Sequence, residues 1–195
     1  MPGFSLRAPF SLAALTAALA AAAPAAQAQD GRYYTAPPPP ARDGWNVGFG
    51  LGGGDLSCEG RGCDGVTEAG SFDVQVGSML RPRLRVLGEL WVMGHTEDNL
   101  TISQAILTGG LQYWIIERLW VRGGIGVASA SARYDGAFVD LEDQTENVFA
   151  VAGGVGFEVV SRPTFAFDIQ IRGGTGFYDD VKARNAALVL GLTWY

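Results

Sequence analysis

Apolar and polar residues alternate with a period of two along most of the chain from Trp45 onward. The clearest stretch is "FAFDIQIR" at 165–172, in which large apolar side chains fall on one face and mostly polar or charged side chains fall on the other. A period of two is that of a β-strand, whereas a helix repeats every 3.6 residues. The pattern therefore predicts an all-β protein, and no convincing amphipathic helix interrupts it.

Eight alternating segments can be placed between turn-rich breaks, at 45–54, 71–80, 84–94, 102–113, 119–131, 148–160, 165–177 and 184–194. Three of the links are tight, namely "RPR" at 81–83, "IIER" at 115–118 and "SRPT" at 161–164. The links at 55–70, 95–101 and 135–147 are longer and acidic, and the break near 178–183 is shorter. Short turns at one rim, longer loops at the other and an even strand number are typical of barrels in outer membranes. The sequence thus predicts an eight-stranded antiparallel up-and-down transmembrane β-barrel.

The polar face of the predicted strands carries charges of both signs among glycines, with almost no lysine. Its charged members are Asp73, Arg85, Glu89, Arg122, Glu158, Asp168 and Arg172. A face in water would use lysine freely, whereas a crowded interior needs opposite charges to pair, because isolated buried charge is costly. We expect this face to fill the lumen as structural pairs, since an eight-stranded barrel has no room for a wide channel. The alternative is a soluble periplasmic lipocalin-like carrier, with the apolar face inside and the polar face in water.

Aromatic residues collect near the ends of the segments. Trp45, Trp114, Trp120 and Trp194 fall near the tight turns, and Phe72, Tyr134, Phe149 and Phe177 fall near the opposite rim. Two belts at two interfaces are what amphipathic rings favour in a bilayer. Strict alternation places Trp120 on the inner face. The belts are therefore a prediction about where the aromatic residues lie along the barrel axis, more than about whether their side chains point outward.

The first residues have the features of an export signal. Arg7 supplies a positive charge, residues 10–23 are rich in Ala and Leu, and Ala26-Gln27-Ala28 fits the small-x-small cleavage pattern. The predicted organisation is a signal peptide at 1–28, a proline-rich linker at 29–43 and an outer-membrane barrel at 44–195. Four consecutive prolines at 37–40 favour an extended spacer, because they lack the N–H that helices and sheets need.

Cys58 and Cys63 in "CEGRGC" are the only two cysteines of the chain. Export to an oxidising compartment would let them pair, which predicts a disulfide that closes a small loop. The alternative is a metal site that uses Glu59 or Asp64. Two thiols with no histidine nearby form a poor ligand set, so no metal site is predicted.

The last segment, "AALVLGLTWY" at 186–195, is apolar and ends on two aromatic residues. If the sheet closes, this segment pairs with the first one and leaves no exposed edge. The residues expected to face lipid are Leu188, Leu190, Leu192 and Trp194, and those expected inside are Val189, Gly191 and Thr193.

The export signal, the alternating strands and the terminal Tyr195 make residues 44–195 resemble the small OmpA/OmpX-like outer-membrane β-barrels of Gram-negative bacteria, which also end on an aromatic residue. The resemblance implies a location in the cell outer membrane and contact with outer-membrane lipids and lipopolysaccharide. It also implies recognition of the C-terminal strand by the barrel assembly machinery.

An enzyme would have to use His95, the only histidine. Lipid A deacylases share this barrel size and resemble serine hydrolases with a histidine two residues before the serine, but here Thr96 and Glu97 follow. Ser103 could still lie near His95 in space, so a lipid-modifying barrel enzyme remains an alternative. The sequence predicts no catalytic residue.

The stretch "GFGLGG" at 48–53 matches a GxGxxG fingerprint, but no helix follows it, so no cofactor is predicted. We interpret the glycines as relief of crowding in the lumen. The chain carries 20 acidic against 14 basic residues, and its acidic loops repel nucleic acid. The sequence therefore predicts a structural or surface-interaction barrel with no open pore, and binding of divalent cations by the loops is a further hypothesis.

Overall fold

The computed structural model describes residues 42–60, 65–97, 100–135, 140–144, 147–178 and 181–195. These residues form nine strands: β1 (Trp45–Gly60), β2 (Gly65–Arg81), β3 (Leu84–Glu97), β4 (Leu100–Trp114), β5 (Leu119–Asp135), β6 (Asp140–Gln144), β7 (Val148–Ser161), β8 (Phe165–Phe177) and β9 (Val181–Trp194). No helix in the described part of the chain is long and apolar enough to cross a membrane.

The sheet closes on itself. Neighbouring strands of the ring pair antiparallel, and β9 returns to pair with β1 from Val47 opposite Trp194 to Gly60 opposite Val181. The terminal strand is therefore not an edge, as the sequence predicts. Backbone N–H and C=O groups that would be costly in hydrocarbon are paired around the ring.

The short strand β6 does not add a ninth position to the ring. It pairs with the end of β5 nearer the outer loops, at 131–135, and β7 pairs with the end of β5 nearer the tight turns, at 119–128. Strands β6 and β7 thus occupy one position in succession, and the ring has eight positions. The predicted eight-stranded up-and-down barrel is confirmed, with its sixth segment interrupted beside the outer loop.

Side chains alternate between the lumen and the outside, apart from register shifts between Met79 and Arg81 and between Glu158 and Val160. In β9, Val189 is fully buried, whereas Leu188 and Leu190 on either side of it are more than half exposed. Trp194 also points outward and Thr193 inward, which confirms the predicted facing of this strand. Large apolar side chains on the outward face of the strands form a continuous band, so a lipocalin-like arrangement with the polar face in water does not fit this fold.

Several strands are longer than the sequence pattern predicts. At about 3.3 Å per residue and a tilt near 40°, the 16 residues of β1 rise by roughly 40 Å, against an apolar band of about 25 Å. Asp55, Glu59 and Glu68, which the alternation assigned to loops, therefore lie on strands that project beyond the band. The alternation fades there because a strand in water needs no apolar face.

The predicted aromatic belts need one correction. Trp45 and Trp194 are exposed at the tight-turn rim, but Trp114 is buried in the lumen at that level. Trp120 is buried there too, as its alternation predicts. At the opposite side of the band, Phe149 and Phe177 stack with ring centroids 5.8 Å apart on the outer surface, and Phe72 is also exposed. The side chain of Tyr134 lies outside the described residues.

Candidate functional site

The lumen contains eight buried charged side chains among the described residues. The carboxylates are Asp73, Glu89, Glu158 and Asp168, and the guanidinium groups are those of Arg42, Arg85, Arg122 and Arg172. The seven residues predicted from the alternation are all among them. Their formal charges cancel only when Arg42 is included, so the lumen as a whole is electrically balanced.

Arg172 is the centre of the network. It extends from β8 across the lumen, donates hydrogen bonds to the carboxylates of Asp73 on β2 and Glu89 on β3, and lies over the Trp91 ring with its guanidinium carbon 4.5 Å from the ring centroid. Charge-assisted bonds of this kind are the stronger class of protein hydrogen bonds. Arg172 therefore ties opposite walls of the barrel together.

Arg122 extends the network through glutamine side chains. Its Nη1 lies 2.9 Å from Gln75 Oε1 and 3.4 Å from Glu89 Oε1, and its Nη2 lies 2.9 Å from Gln170 Oε1. Gln75 Oε1 also accepts a bond of 3.0 Å from Arg85. A neutral amide thus connects two guanidinium groups without adding charge.

Arg42 fills the mouth at the tight-turn end. Its Nη2 lies 2.5 Å from Glu158 Oε2 and donates to the carbonyl of Glu117 at 2.8 Å, while the guanidinium stacks 4.7 Å above Trp114. The indole Nε1 of Trp114 donates to the other oxygen of Glu158 at 2.7 Å. The buried carboxylate of Glu158 is therefore held by a cation and an indole at once.

A turn at Gly44 places Arg42 there. Gly44 has a φ of +71°, which favours glycine, and its N–H is bonded to the Asp43 carboxylate at 2.8 Å. Its carbonyl accepts a bond from the N–H of Met79. The chain thus folds back under the barrel before β1 begins.

Sequence reasoning missed Arg42 because the residue precedes the first alternating segment and was assigned to the linker. One signal could have indicated it: the seven predicted lumen charges leave one negative charge unbalanced. Arg42 is a candidate to balance that charge, because it lies shortly before the first strand, with Asp43 and Gly44 between them.

The half of the lumen nearer the outer loops is mostly apolar, although Ser71, Gln104 and Asn185 are also buried there. Trp91, Met93, Ile106 and Val189 are fully or almost fully buried there, and small alanines complete the cluster. The Nε1 of Trp91 donates to Ser71 Oγ at 2.8 Å, so its single polar group is satisfied. The interior thus consists of a charged layer near the tight turns and an apolar layer above it.

Little empty space is left in the charged layer. The cavity bordered by Glu89, Thr108 and Arg122 has a volume of about 10 Å³, which holds at most one water molecule. An ion would have to pass both this layer and the apolar one. The described residues of the charged layer thus leave room for little more than one water molecule at this point.

Glycines create the room that the large lumen side chains occupy. A Cβ on Gly156 would collide with the Trp120 ring, and one on Gly191 would collide with Gln170 and Asp168. The "GFGLGG" stretch lies inside β1, where a Cβ on Gly50 would collide with Asp73. Relief of crowding, not phosphate binding, accounts for these glycines.

His95 and Ser103 do not form a catalytic pair. By alternation from the buried Met93, His95 is on the inner face of β3, and its Nε2 lies 3.7 Å from Glu97 Oε2. Ser103 is on the outer face of β4, where its Oγ lies 2.8 Å from that of Ser131. A sheet separates the two side chains, so this version of a nucleophile and base is wrong.

The remaining predictions from the sequence concern the outer end of the barrel. Cys58 lies on β1, but Cys63 is outside the described residues, so the disulfide stays a prediction. Parts of the acidic links at 61–64, 136–139 and 145–146 are also outside them. Among the residues that are described, no group of three or more His, Cys, Asp or Glu side chains is placed to hold a metal ion.

A closed ring of eight positions, an apolar outer band and a filled, charged lumen together define a small transmembrane β-barrel. The fold is that of the OmpA/OmpX-like outer-membrane barrels, which confirms the resemblance seen in the sequence. This fold and its lipid-facing band locate the chain in the outer membrane.

Solved structures of two such barrels illustrate the likeness. Ail, the attachment invasion locus protein of Yersinia pestis, is 16% identical over 78% of this chain and 99% of Ail, with a TM-score of 0.60. A structure of Ail in complex with the heparin analogue sucrose octasulfate gives 17% identity and a TM-score of 0.59. Neisserial surface protein A is 16% identical over 77% of this chain and 96% of its own, with a TM-score of 0.55.

At such identities the likeness shows the fold alone. No protein-family model and no curated protein sequence matches the chain.

Proposed function

We propose that this protein is a non-conducting outer-membrane barrel that acts structurally and by surface interaction, through the strands and loops that project beyond the membrane. The observation that carries the proposal is the filled lumen, in which a charged layer and an apolar layer lie in series. A barrel closed in this way has its accessible chemistry at its two ends.

The partner suited to the outer end is cationic. Asp55, Glu59, Glu68 and Glu97 are exposed on the projecting strands. The sequence adds further acids in the outer links, such as the "DLEDQTE" stretch at 140–146. Asp55 and Glu68 lie directly opposite each other on β1 and β2, an arrangement of like charges that costs stability and that a bound cation would relieve.

The likeness to Ail does not extend to a polyanionic ligand. Ail was crystallised with sucrose octasulfate, a polyanion. An acidic outer end repels such a molecule, because like charges disfavour association. The two proteins share a fold, and the acidic outer end of this one favours a ligand of the opposite charge.

Binding of a decalysine peptide to the protein in phosphatidylcholine nanodiscs tests the surface role. We expect binding that weakens with added salt and falls at least severalfold in the Asp55→Asn/Glu68→Gln variant. The matched control is Glu117→Gln, which removes an exposed carboxylate at the other rim and should change nothing. Decalysine binding that is indifferent to the outer carboxylates would refute the cationic partner.

Conductance measurements test the closed lumen. In planar bilayers we expect no steady channel activity from the protein, whereas sustained open-channel current would contradict the proposal. Replacement of His95 by alanine with no change in lipid A composition would also count against the lipid-modifying alternative.

The remaining proposals concern biogenesis and surroundings. We infer that cleavage after Ala28 releases a chain whose linker reaches from residue 29 to the barrel. We further infer that the barrel assembly machinery recognises the strand ending at Trp194 and Tyr195, and that lipopolysaccharide surrounds the outer part of the band. N-terminal sequencing of the outer-membrane form, with Gln29 as the expected first residue, checks the first inference.

A further inference from the structure

The tight-turn rim carries a set of four exposed arginines, here called the rim arginines: Arg81, Arg83, Arg118 and Arg162. The turn between β2 and β3 contributes two of them, and the turns from β4 to β5 and from β7 to β8 contribute one each. Every tight turn therefore presents at least one guanidinium group at the same end of the barrel.

The rim arginines have no anionic partner among the described residues. No side-chain hydrogen bond or ion pair there involves any of the four, whereas the exposed Arg184 at the other end lies 2.9 Å from Glu59. The side-chain carboxylates exposed at the tight-turn rim are those of Asp43 and Glu117, and Asp43 is bonded to the N–H of Gly44. The rim thus carries a surplus of positive charge that its own side chains do not neutralise.

The height of these groups matches that of lipid headgroups. Trp45, Trp194 and Tyr113 are exposed on the outer surface at the ends of their strands, where amphipathic rings mark the edge of the hydrocarbon. Tyr113 pairs with Leu84, the residue after Arg83, and Trp194 pairs with Phe165, three residues beyond Arg162. The guanidinium groups therefore lie just past the aromatic belt, at the level of the phosphates.

We propose that the rim arginines bind the phosphate groups of anionic phospholipids in the inner leaflet of the outer membrane. A planar guanidinium donates two parallel hydrogen bonds to one phosphate, and its three-carbon stem can lie along apolar surface while its head stays in the interface. The inner leaflet is the one concerned because tight turns of such barrels face the periplasm, the orientation on which the proposed function also rests.

The distribution of charge along the barrel axis supports this assignment. Unpaired cations at the tight-turn end and a surplus of carboxylates at the outer end give the barrel opposite charges at its two rims. Binding of anionic headgroups would thus help to fix the barrel's depth, because the arginines resist entry into hydrocarbon and are attracted to the phosphate level.

Spin-labelled lipids test the proposal. The full barrel is reconstituted in phosphatidylcholine vesicles, and the fraction of motionally restricted label is compared for phosphatidylglycerol and phosphatidylcholine probes. We expect a two- to fivefold preference for phosphatidylglycerol at low salt, with most of it lost at 0.5 M salt because the Debye length falls. The Arg81→Gln/Arg83→Gln variant should lose about half of the preference, and the variant with all four rim arginines replaced by Gln should lose it entirely.

The matched control is Lys182→Gln/Arg184→Gln, which removes two exposed cations from the other end of the barrel. It should keep the full preference. A heat-dependent band shift on gels confirms that each variant is folded before it is measured. Absence of a preference in the parent protein, or an equal loss in the control variant, would overturn the proposal.

Peptidoglycan is the other anionic polymer near the periplasmic rim. Co-sedimentation of the detergent-solubilised barrel with purified peptidoglycan, abolished by the rim substitutions and without any lipid preference, would also overturn the assignment to phospholipid. These outcomes are independent of the decalysine and conductance tests, so failure here leaves the proposed function standing.

Discussion

Replacement of Arg172 by glutamine should be among the most damaging single changes in the barrel. Arg172 holds two carboxylates, those of Asp73 and Glu89, which are 0% and 5% exposed. Without it, the remaining cations near them are Arg122, whose Nη1 is 3.4 Å from Glu89, and Arg85, whose charge also interacts with Glu89. Removing one partner of a buried ion pair typically costs about 3–5 kcal/mol, because the other charge stays buried without compensation.

The matched control is Arg184→Gln. Arg184 also has a carboxylate partner, Glu59 at 2.9 Å, but both side chains are at least half exposed. Exposed pairs contribute about 0–1 kcal/mol, since water screens the charges. We therefore expect the two variants to differ by at least about 2 kcal/mol in the free energy of unfolding, or roughly thirtyfold in the equilibrium constant.

Urea unfolding of the protein in lipid vesicles, followed by tryptophan fluorescence and by the gel band shift, measures this difference. A second variant makes the reasoning specific. In Arg172→Gln/Asp73→Asn one stranded carboxylate becomes neutral, so part of the lost stability should return. The account is wrong if Arg172→Gln costs no more than Arg184→Gln, or if adding Asp73→Asn destabilises the protein further.

Three further changes probe other parts of the barrel. Arg42→Gln should destabilise the folded barrel by about 2–4 kcal/mol through the stranded Glu158 carboxylate, and adding Glu158→Gln should restore part of that loss in urea titrations. Gly156→Val should slow or prevent folding in detergent micelles, because its side chain would occupy the space of the Trp120 ring; folding at the parental rate would contradict the packing. Ile125→Arg, on the lipid face six residues above the start of β5, should cost about 2–4 kcal/mol near the midplane of the band, and unchanged vesicle stability would contradict its facing.

The lumen and the lipid face could be predicted from the sequence because a barrel wall has a dry side and a crowded side along every strand. Apolar side chains such as Ile169 and Ile171 face lipid, and the polar or charged side chains that alternate with them, Asp168, Gln170 and Arg172, face the lumen. Because lipid lies on one side of each strand and the crowded lumen on the other, the alternation predicts the facing of individual residues. It also gave the facing of β9, where Val189 is inside despite being apolar.

Other features could not be predicted from the sequence, because they depend on water at the outer side of a strand or on a contact between residues far apart in the sequence. The outer ends of β1 and β2 stand in water on their outer side, so the alternation that marks strands vanishes there. Trp114 is amphipathic and suits an interface belt or a lumen equally well; its inward position depends on Glu158, 44 residues away in sequence. The docking of Arg42 depends on a single positive φ at Gly44.

The two layers of the lumen also show how a barrel interior can be both closely packed and charged. The guanidinium and carboxylate groups of the charged layer bond to one another, to glutamines or to the Trp114 indole, although Asp73 Oδ2, Arg42 Nε and Arg85 Nε and Nη2 have no hydrogen-bond partner among the described residues. Trp91 belongs to both layers: its ring packs in the apolar cluster and also lies against the Arg172 guanidinium. Any movement that opened the charged layer would therefore also disturb the packing of the apolar layer. The free-energy cost of such an opening would include both. A lumen built in this way stabilises the wall that holds the two rims apart, and it supports the proposal that binding takes place at the rims.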